Sequence, residues 1–540
     1  MSQPGIETQA KVHMFRTGRM GRAIAMGLPL LLGLNLGIVA AGPGFAASKS
    51  DAAFQPLVAA IHVHSSWSTG SLTLDQLAER AEGLGIQALV LSDDFALRFE
   101  YGLPPFRNVI RRTVAFPSLT SHQMSAFLSG VAAAQERHPN VLLVPGIEVT
   151  PHYYWTGSLL DHSLTMHNGE RNFLVIGLSS SRDYASLPLT GNPASYHYGW
   201  ESLGSLAPGL LFIPAGWMWR RRTTPPRRWT IPRVVLAKAR GGCAVILAIT
   251  GGLLILNAWP LSRPAFSSYD QGLGYRPYQA VIDMVTKRKG LVIWSLPEVR
   301  DFNQYSFGPL GTVTVKTDPY PGALTATKRY TGFGGLYQDS RGAHQPGGPW
   351  DRTIMEYLEG QRTTPPVLFG EIAFHRPGEA GIRLDQVVNV LRVRNRSVSG
   401  ILDALRAGRL YVVGQYRPGV HLRLDEFQVA SGDGASTAEV GGWLALPETR
   451  ELMVSLSVSA VDDQAHPITV TVVRSGQVIA QKKGSTPLSH RFLDRLDGQT
   501  NAVFYRVAVE GRGEILSNPI FVGTDAGPRR DMGARILVES

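Results

Sequence analysis

The chain has 540 residues, more than one compact domain uses, so two or three folding units are expected. With 44% hydrophobic, 18% charged and 9% aromatic residues it has ample material for a core, and disorder cannot dominate it. The single cysteine, Cys243, excludes an intrachain disulfide framework and a cysteine-rich zinc module, which leaves any metal site to His, Asp and Glu.

The net charge of +11 is concentrated in two places. Residues 1–46 carry Lys11, Arg16, Arg19 and Arg22 against Glu7, residues 220–240 carry eight cations and no acid, and the rest is net neutral. Both clusters abut apolar runs, the pattern of membrane topology and not of a polyanion-binding face. No nucleic-acid partner is expected.

In chain order, residues 1–46 combine a basic start, the uncharged run 23–41 and the small residues Gly44-Phe45-Ala46, which predicts a signal peptide or N-terminal anchor. Over 54–202, β-rich runs (AIHVH, IQALVLSDD, VLLVPGIEV, FLVIGL) alternate with helical patterns such as LTLDQLAERAEGLG. That alternation predicts α/β architecture, a parallel sheet or barrel with its chemistry at the C-terminal strand ends.

Residues 203–262 read as a membrane hairpin: charge-free over 203–219, basic over 220–240, charge-free again over 241–262. The cations hold the loop 220–240 in the cytoplasm and send both flanks to the extracytoplasmic, periplasmic side. The α/β pattern resumes over 263–415. From 419 to 525 alternating strands separated by turn residues predict an antiparallel β-sandwich, and 526–540 form a tail.

His62 and His64 lie two apart at the end of a strand-like run, so their side chains share one face and can converge on one cation. After them come Ser65, Ser68-Thr69-Gly70, a helix ending in Leu84-Gly85-Ile86, and a strand closing in Ser92-Asp93-Asp94. Further on stand Pro145-Gly146-Ile147-Glu148, FLVIGL from Phe173, VIWSLPE from Val292, and Gly370-Glu371-Ile372-Ala373-Phe374-His375. This order resembles the polymerase and histidinol phosphatase (PHP) domain family over about residues 56–415, apart from the hairpin.

The resemblance implies a distorted (β/α)7 barrel interrupted by the transmembrane hairpin and followed by the sandwich. It also implies divalent metals (zinc, manganese or iron) that activate a water for phosphoester hydrolysis. Carried over residue by residue, His62, His64, Glu148 and His375 are retained as metal ligands. Asp94 stands where the family has histidine and still offers an oxygen. Asn172, Leu296 and Ala373 replace an expected histidine, histidine and aspartate, and Thr69 replaces a frequent aspartate. Fewer ions than the family norm, or none, are therefore expected. His152, His162, His167, Asp93 and Glu371 are reserve donors, and Lys316, Arg376 and Arg98 are candidate phosphate contacts.

The expected function is an exported, membrane-attached metal-dependent phosphoesterase acting on a small phosphate ester or a lipid-linked substrate. The alternative is a catalytically degenerate domain acting as a ligand-binding or scaffold protein. The sandwich carries Tyr505-Arg506-Val507 and Ser517-Asn518-Pro519, similar to the tail of exported PHP-domain proteins, and is expected to pack or bind.

Overall fold

The computed structural model describes residues 53–524, apart from 160, 224–230, 260, 307–310, 339, 341 and 416–420. The expected leader, the centre of the basic loop and the tail 526–540 lie outside the described residues.

Strand β1 (Gln55–Val63) pairs parallel with β2 (Ala88–Leu91), and the helix Leu74–Gly83 crosses between them. Thr73 and Gln76 start that helix through a reciprocal capping box. Leu74, Leu77, Ala78 and Ala81, on one helical face, bury it against the sheet. The short β3 (Asp93–Asp94) is followed by a hairpin of β4 (Arg98–Gly102) and β5 (Arg111–Ala115).

Next come β6 (Leu142–Val144) and β7 (Gly146–Val149), divided by Pro145. The strands β8 (Tyr154–Thr156), β9 (Thr165–His167) and β10 (Phe173–Ile176) follow, then, beyond the long insertion, β11 (Leu291–Trp294). After these lie β12 (Asp301–Ser306), β13 (Thr312–Thr317), β14 (Gly332–Leu336) and β15 (Val367–Gly370).

Hydrogen-bonded neighbours run from β1 to β2 to β6, and from β3 through β7, β10, β11 and β14 to β15. Phe374, just past β15, bridges back to Val63 of β1. The expected parallel order holds for β1, β2 and β6 and for β11, β14 and β15. It fails at β10, which is antiparallel to both neighbours. Between β7 and β10 the chain makes short strands and no crossover helix, so it returns antiparallel. Strands β8, β9, β13 and β12 form a separate four-stranded sheet.

The insertion contains the helix Ile231–Ala258, of which Ala237–Ala258 is long and apolar enough to cross a membrane; among the described residues it is the one that meets that test. Only 17% of its most apolar window is buried. The run 203–219, expected as the hairpin's first arm, holds a 3-10 turn, Ala207–Leu211, that runs directly into a 12-residue helix, Phe212–Thr223. Pro208 lies in the 3-10 turn, where its missing N–H prevents a continuous α-helix. These pieces pack on the long helix near Gly251 and leave Leu210, Ile213, Trp217, Ile246 and Ile249 exposed.

Strands β16 (Val387–Val393) and β17 (Leu410–Gln415) join β1 to the C-terminal region through the strand Gly513–Ser517. Their residues alternate between two cores: Val387, Leu391, Leu410 and Val412 face the first, and Val388, Val390, Tyr411 and Val413 the second. The second core lies between this sheet and an antiparallel sheet of four strands that includes Leu422–Ser431 and Glu451–Ala460. The C-terminal region is thus β-rich and continuous with the α/β part.

Candidate metal centre

His62 sits in a β-bulge: the β1–β2 register shifts between Ile61 and Val63, and His62 adopts φ 75°. This left-handed conformation costs on the order of 1–3 kcal/mol for a non-glycine residue, which the surrounding pairing offsets. Simple alternation along a strand is therefore not what aims the two histidines. The bulge sets His62 with its ring centroid 5.1 Å from that of His64.

The rings are held from behind. His62 Nδ1 lies 2.7 Å from Glu371 Oε2, which also accepts from Ser295 Oγ at 2.8 Å. A carboxylate only accepts, so Nδ1 carries a proton and Nε2 is the nitrogen turned towards Glu148. His64 Nδ1 lies 3.3 Å from both Thr69 Oγ1 and Asp94 Oδ2. Thr69 donates to Asp94 Oδ2 at 2.5 Å and meets His375 Nδ1 at 2.9 Å, while the His375 ring stacks on His64 at 4.0 Å. Gly70 has to be glycine here, because a Cβ would stand 2.2 Å from the His64 carbonyl oxygen.

Glu148, on β7, completes the group. Its Oε1 lies 3.6 Å from His62 Nε2, and its Oε2 lies 3.6 Å from His64 Nε2. Asn172 Nδ2 donates to Glu148 Oε1 at 2.8 Å, and Thr150 Oγ1 donates to Asn172 Oδ1. The donor atoms of His62, His64 and Glu148 all fall within 4.8 Å of one another and all three residues are buried. Donors about 2.1 Å from a tetrahedral ion stand about 3.4 Å apart, so this set fits a divalent metal. Burial works against a charged His62, but Glu148 and Glu371 outweigh it and hold the imidazole well above its ordinary pKa, so a bound ion would take the place of the Nε2 proton.

Of the expected ligands, His62, His64 and Glu148 meet as one group, while Asp94 and His375 stand behind and beside His64. Asp93 accepts from the backbone and hydroxyl of Ser65 and from Ser68 Oγ, fixing the loop that follows the histidines. Leu296 and Ala373 gather with Tyr337 in a small apolar cluster and line a cavity of about 40 Å3 beside Glu371. His152 and His167 line another cavity, and His162 packs against Gly311. Lys316, Arg376 and Arg98 pair with Asp318, Glu379 and Glu100.

Sequence reasoning underrated Glu371, Asn172 and Thr69 because it asked only which residues could ligate. It gave no place at all to Ser295. Its signal was position, at the end of a buried strand beside the residue where a ligand was expected.

No family model matches the chain, and no curated protein matches it. Among solved structures, it is similar to a two-domain protein from Bacteroides vulgatus containing a predicted PHP-like metal-dependent phosphoesterase. That match has 12% identity over 85% of this chain and 90% of the other, with a TM-score of 0.32. It is also similar to a protein from Bifidobacterium adolescentis described as a metal-dependent phosphoesterase, with 13% identity over 59% and 88% of the two chains and a TM-score of 0.24. A third similarity is to an amidohydrolase from Chromobacterium violaceum with bound sulfate and no metal. Here the identity is 14% over 64% and 96%, and the TM-score is 0.26. At these scores the arrangement of side chains, not the overlay, has to carry the chemistry.

Proposed function

We propose that the chain is an exported, membrane-attached, PHP-like metal-dependent phosphoesterase with one divalent ion held by His62, His64 and Glu148. The observation that carries this reading is the buried convergence of two imidazole nitrogens and one carboxylate, each backed by its own polar partner. The ion, zinc, manganese or iron, would when bound supply a Lewis acid that neutralises phosphate charge and lowers the pKa of water towards neutrality.

The protein's own groups do the positioning. Glu371 and Ser295 fix the tautomer of His62, Thr69 and Asp94 fix His64, and Asn172 aims Glu148. His375 adds a further donor beside His64, and Asp94 acts through Thr69. The pairings that lead from β1 back to β1 support a distorted seven-stranded β/α barrel. The exposed apolar helix Ala237–Ala258 supports attachment to a membrane, and the cations of residues 220–240 support a periplasmic side for the α/β part and the β-rich C-terminal part.

Metal analysis of the purified full chain is expected to recover about one equivalent of ion, together with slow hydrolysis of an aryl phosphate. His64→Ala is expected to lose both, and unchanged metal content in that variant would overturn the site. The apolar cluster of Leu296, Ala373 and Tyr337 favours a second reading, a degenerate domain that binds a ligand or acts as a scaffold. Bound metal without any hydrolysis would select it.

A further inference from the structure

A polar cavity of about 240 Å3 begins where the segments carrying the metal-facing groups continue. His152 follows Glu148 by four residues, and Arg171 immediately precedes Asn172, whose amide holds Glu148. One wall is a face of the four-stranded sheet. Tyr154, His167 and Lys316 are register partners across β8, β9 and β13 and line the cavity. The next row, Trp155, Met166 and Val315, packs instead with Phe99 and Tyr153 in an apolar cluster. Strand alternation thus puts the polar row on the cavity side.

Two buried polar atoms in this wall have no hydrogen bond within the protein: His152 Nε2 and Arg171 Nε. His152 is 2% exposed, and its Nδ1 lies 2.9 Å from Thr190 Oγ1. The Thr190 hydroxyl fixes the plane of the ring through Nδ1 and turns Nε2 towards the cavity. Burial keeps the ring neutral by lowering its pKa to about 4, so it offers the cavity an uncharged imidazole nitrogen at neutral pH.

The Arg171 guanidinium lies over the Tyr320 ring at 5.1 Å, and Lys316 is held by Asp318 at 2.8 Å. Tyr154 stacks on His167 at 4.7 Å and makes a flat wall. The imidazole nitrogen of His152 and the carboxylates of Asp270 and Asp318 suit ligand hydroxyls, Arg171 and Lys316 offer charged donors to hydroxyl oxygens, and the aromatic faces suit a sugar-like ring. The volume lies below the range of roughly 300–1,000 Å3 usual for drug-sized ligands, which excludes a bulky occupant.

We propose that this cavity recognises the alcohol part of a polyhydroxylated phosphate ester of the sugar or polyol type, with His152 and Arg171 as its specificity-determining residues. The assignment of that ester as a substrate rests on the phosphoesterase reading; the binding itself does not.

The test is calorimetric titration of the full chain in detergent with glucose 6-phosphate, ribose 5-phosphate, myo-inositol 1-phosphate and glycerol 3-phosphate, with p-nitrophenyl phosphate as reference. At least one polyol ester is expected to bind about tenfold more tightly than the aryl ester, since a hydrogen bond to a charged group contributes about that much. Arg171→Gln and His152→Gln are each expected to remove about that tenfold preference while bound metal and aryl phosphate turnover stay at the wild-type level. The half-exposed Lys316→Gln serves the same purpose should either of these variants fail to fold.

No preference for any polyol ester, or a preference unchanged in all folded variants, would overturn the cavity assignment. Loss of the preference in a protein that binds no metal would sustain the cavity and remove the phosphoesterase reading, so the two failures are distinguishable.

Discussion

Each imidazole at the centre has one nitrogen committed to a structural partner and the other turned towards Glu148, so ligand capacity depends on groups that touch no metal. Glu371 is the clearest case, buried and bonded to both His62 and Ser295. Glu371→Gln keeps the shape and can hold His62 in the wrong tautomer. Metal affinity is expected to fall about 10–100-fold, read by competition against a chelator. His152 gives a residue-scale prediction for pH. Its folded pKa of about 4 lies below its unfolded value, so the unfolded chain binds more protons between those limits. This residue's contribution to stability is full above about pH 6.5 and is lost as pH falls through about 4, a loss of roughly 3 kcal/mol. In denaturant titrations across that window, His152→Gln is expected to show a flatter profile than the parent.

Elements set these residues in place by departures from regularity as much as by regularity. The bulge at His62 and the close approach of Gly70 to the His64 carbonyl shape one turn of chain that brings Thr69 to three partners. The helix Pro349–Leu358 is tied to the C-terminal region by a bidentate pair, Asp351 to Arg506 at 2.8 Å, both 1% exposed, with Arg506 over Trp350. Removing one charge leaves the other buried and uncompensated, so Asp351→Asn is expected to cost about 3–5 kcal/mol, visible as a lowered Tm. A change confined to metal content, with Tm unmoved, would show that this tie is not structural.

At the scale of the whole molecule, the α/β part and the β-rich C-terminal part are continuous, because β16 and β17 present alternate residues to two cores. The apolar insertion projects from that body with most of its surface uncovered, while its end is held by Asn257, which accepts two hydrogen bonds from Asn108. Exposed apolar area on that scale is expected to be covered by lipid. A reporter fused near Thr224 is expected to behave as cytoplasmic and one fused after Ser540 as periplasmic. Matching compartments would remove the insertion from the membrane.

Much of this was legible along the chain. Hydrophobic periodicity marks the crossover helix and the alternating C-terminal strands, because burial on one face writes a period into the residues themselves. The histidine pair, Glu148 and the apolar stretch are equally local signals. What folding alone decided is who stands behind whom. Glu371 meets His62 across 309 residues, Asn172, standing where a histidine ligand was expected, supports the Glu148 carboxylate, and β10 turns antiparallel. Pro208 gives the first arm of the insertion a 3-10 turn where composition presented a uniform apolar run. These outcomes depend on register, tautomer and the path of the backbone between strands, which are properties of contacts between distant segments and leave no periodic trace in either segment by itself.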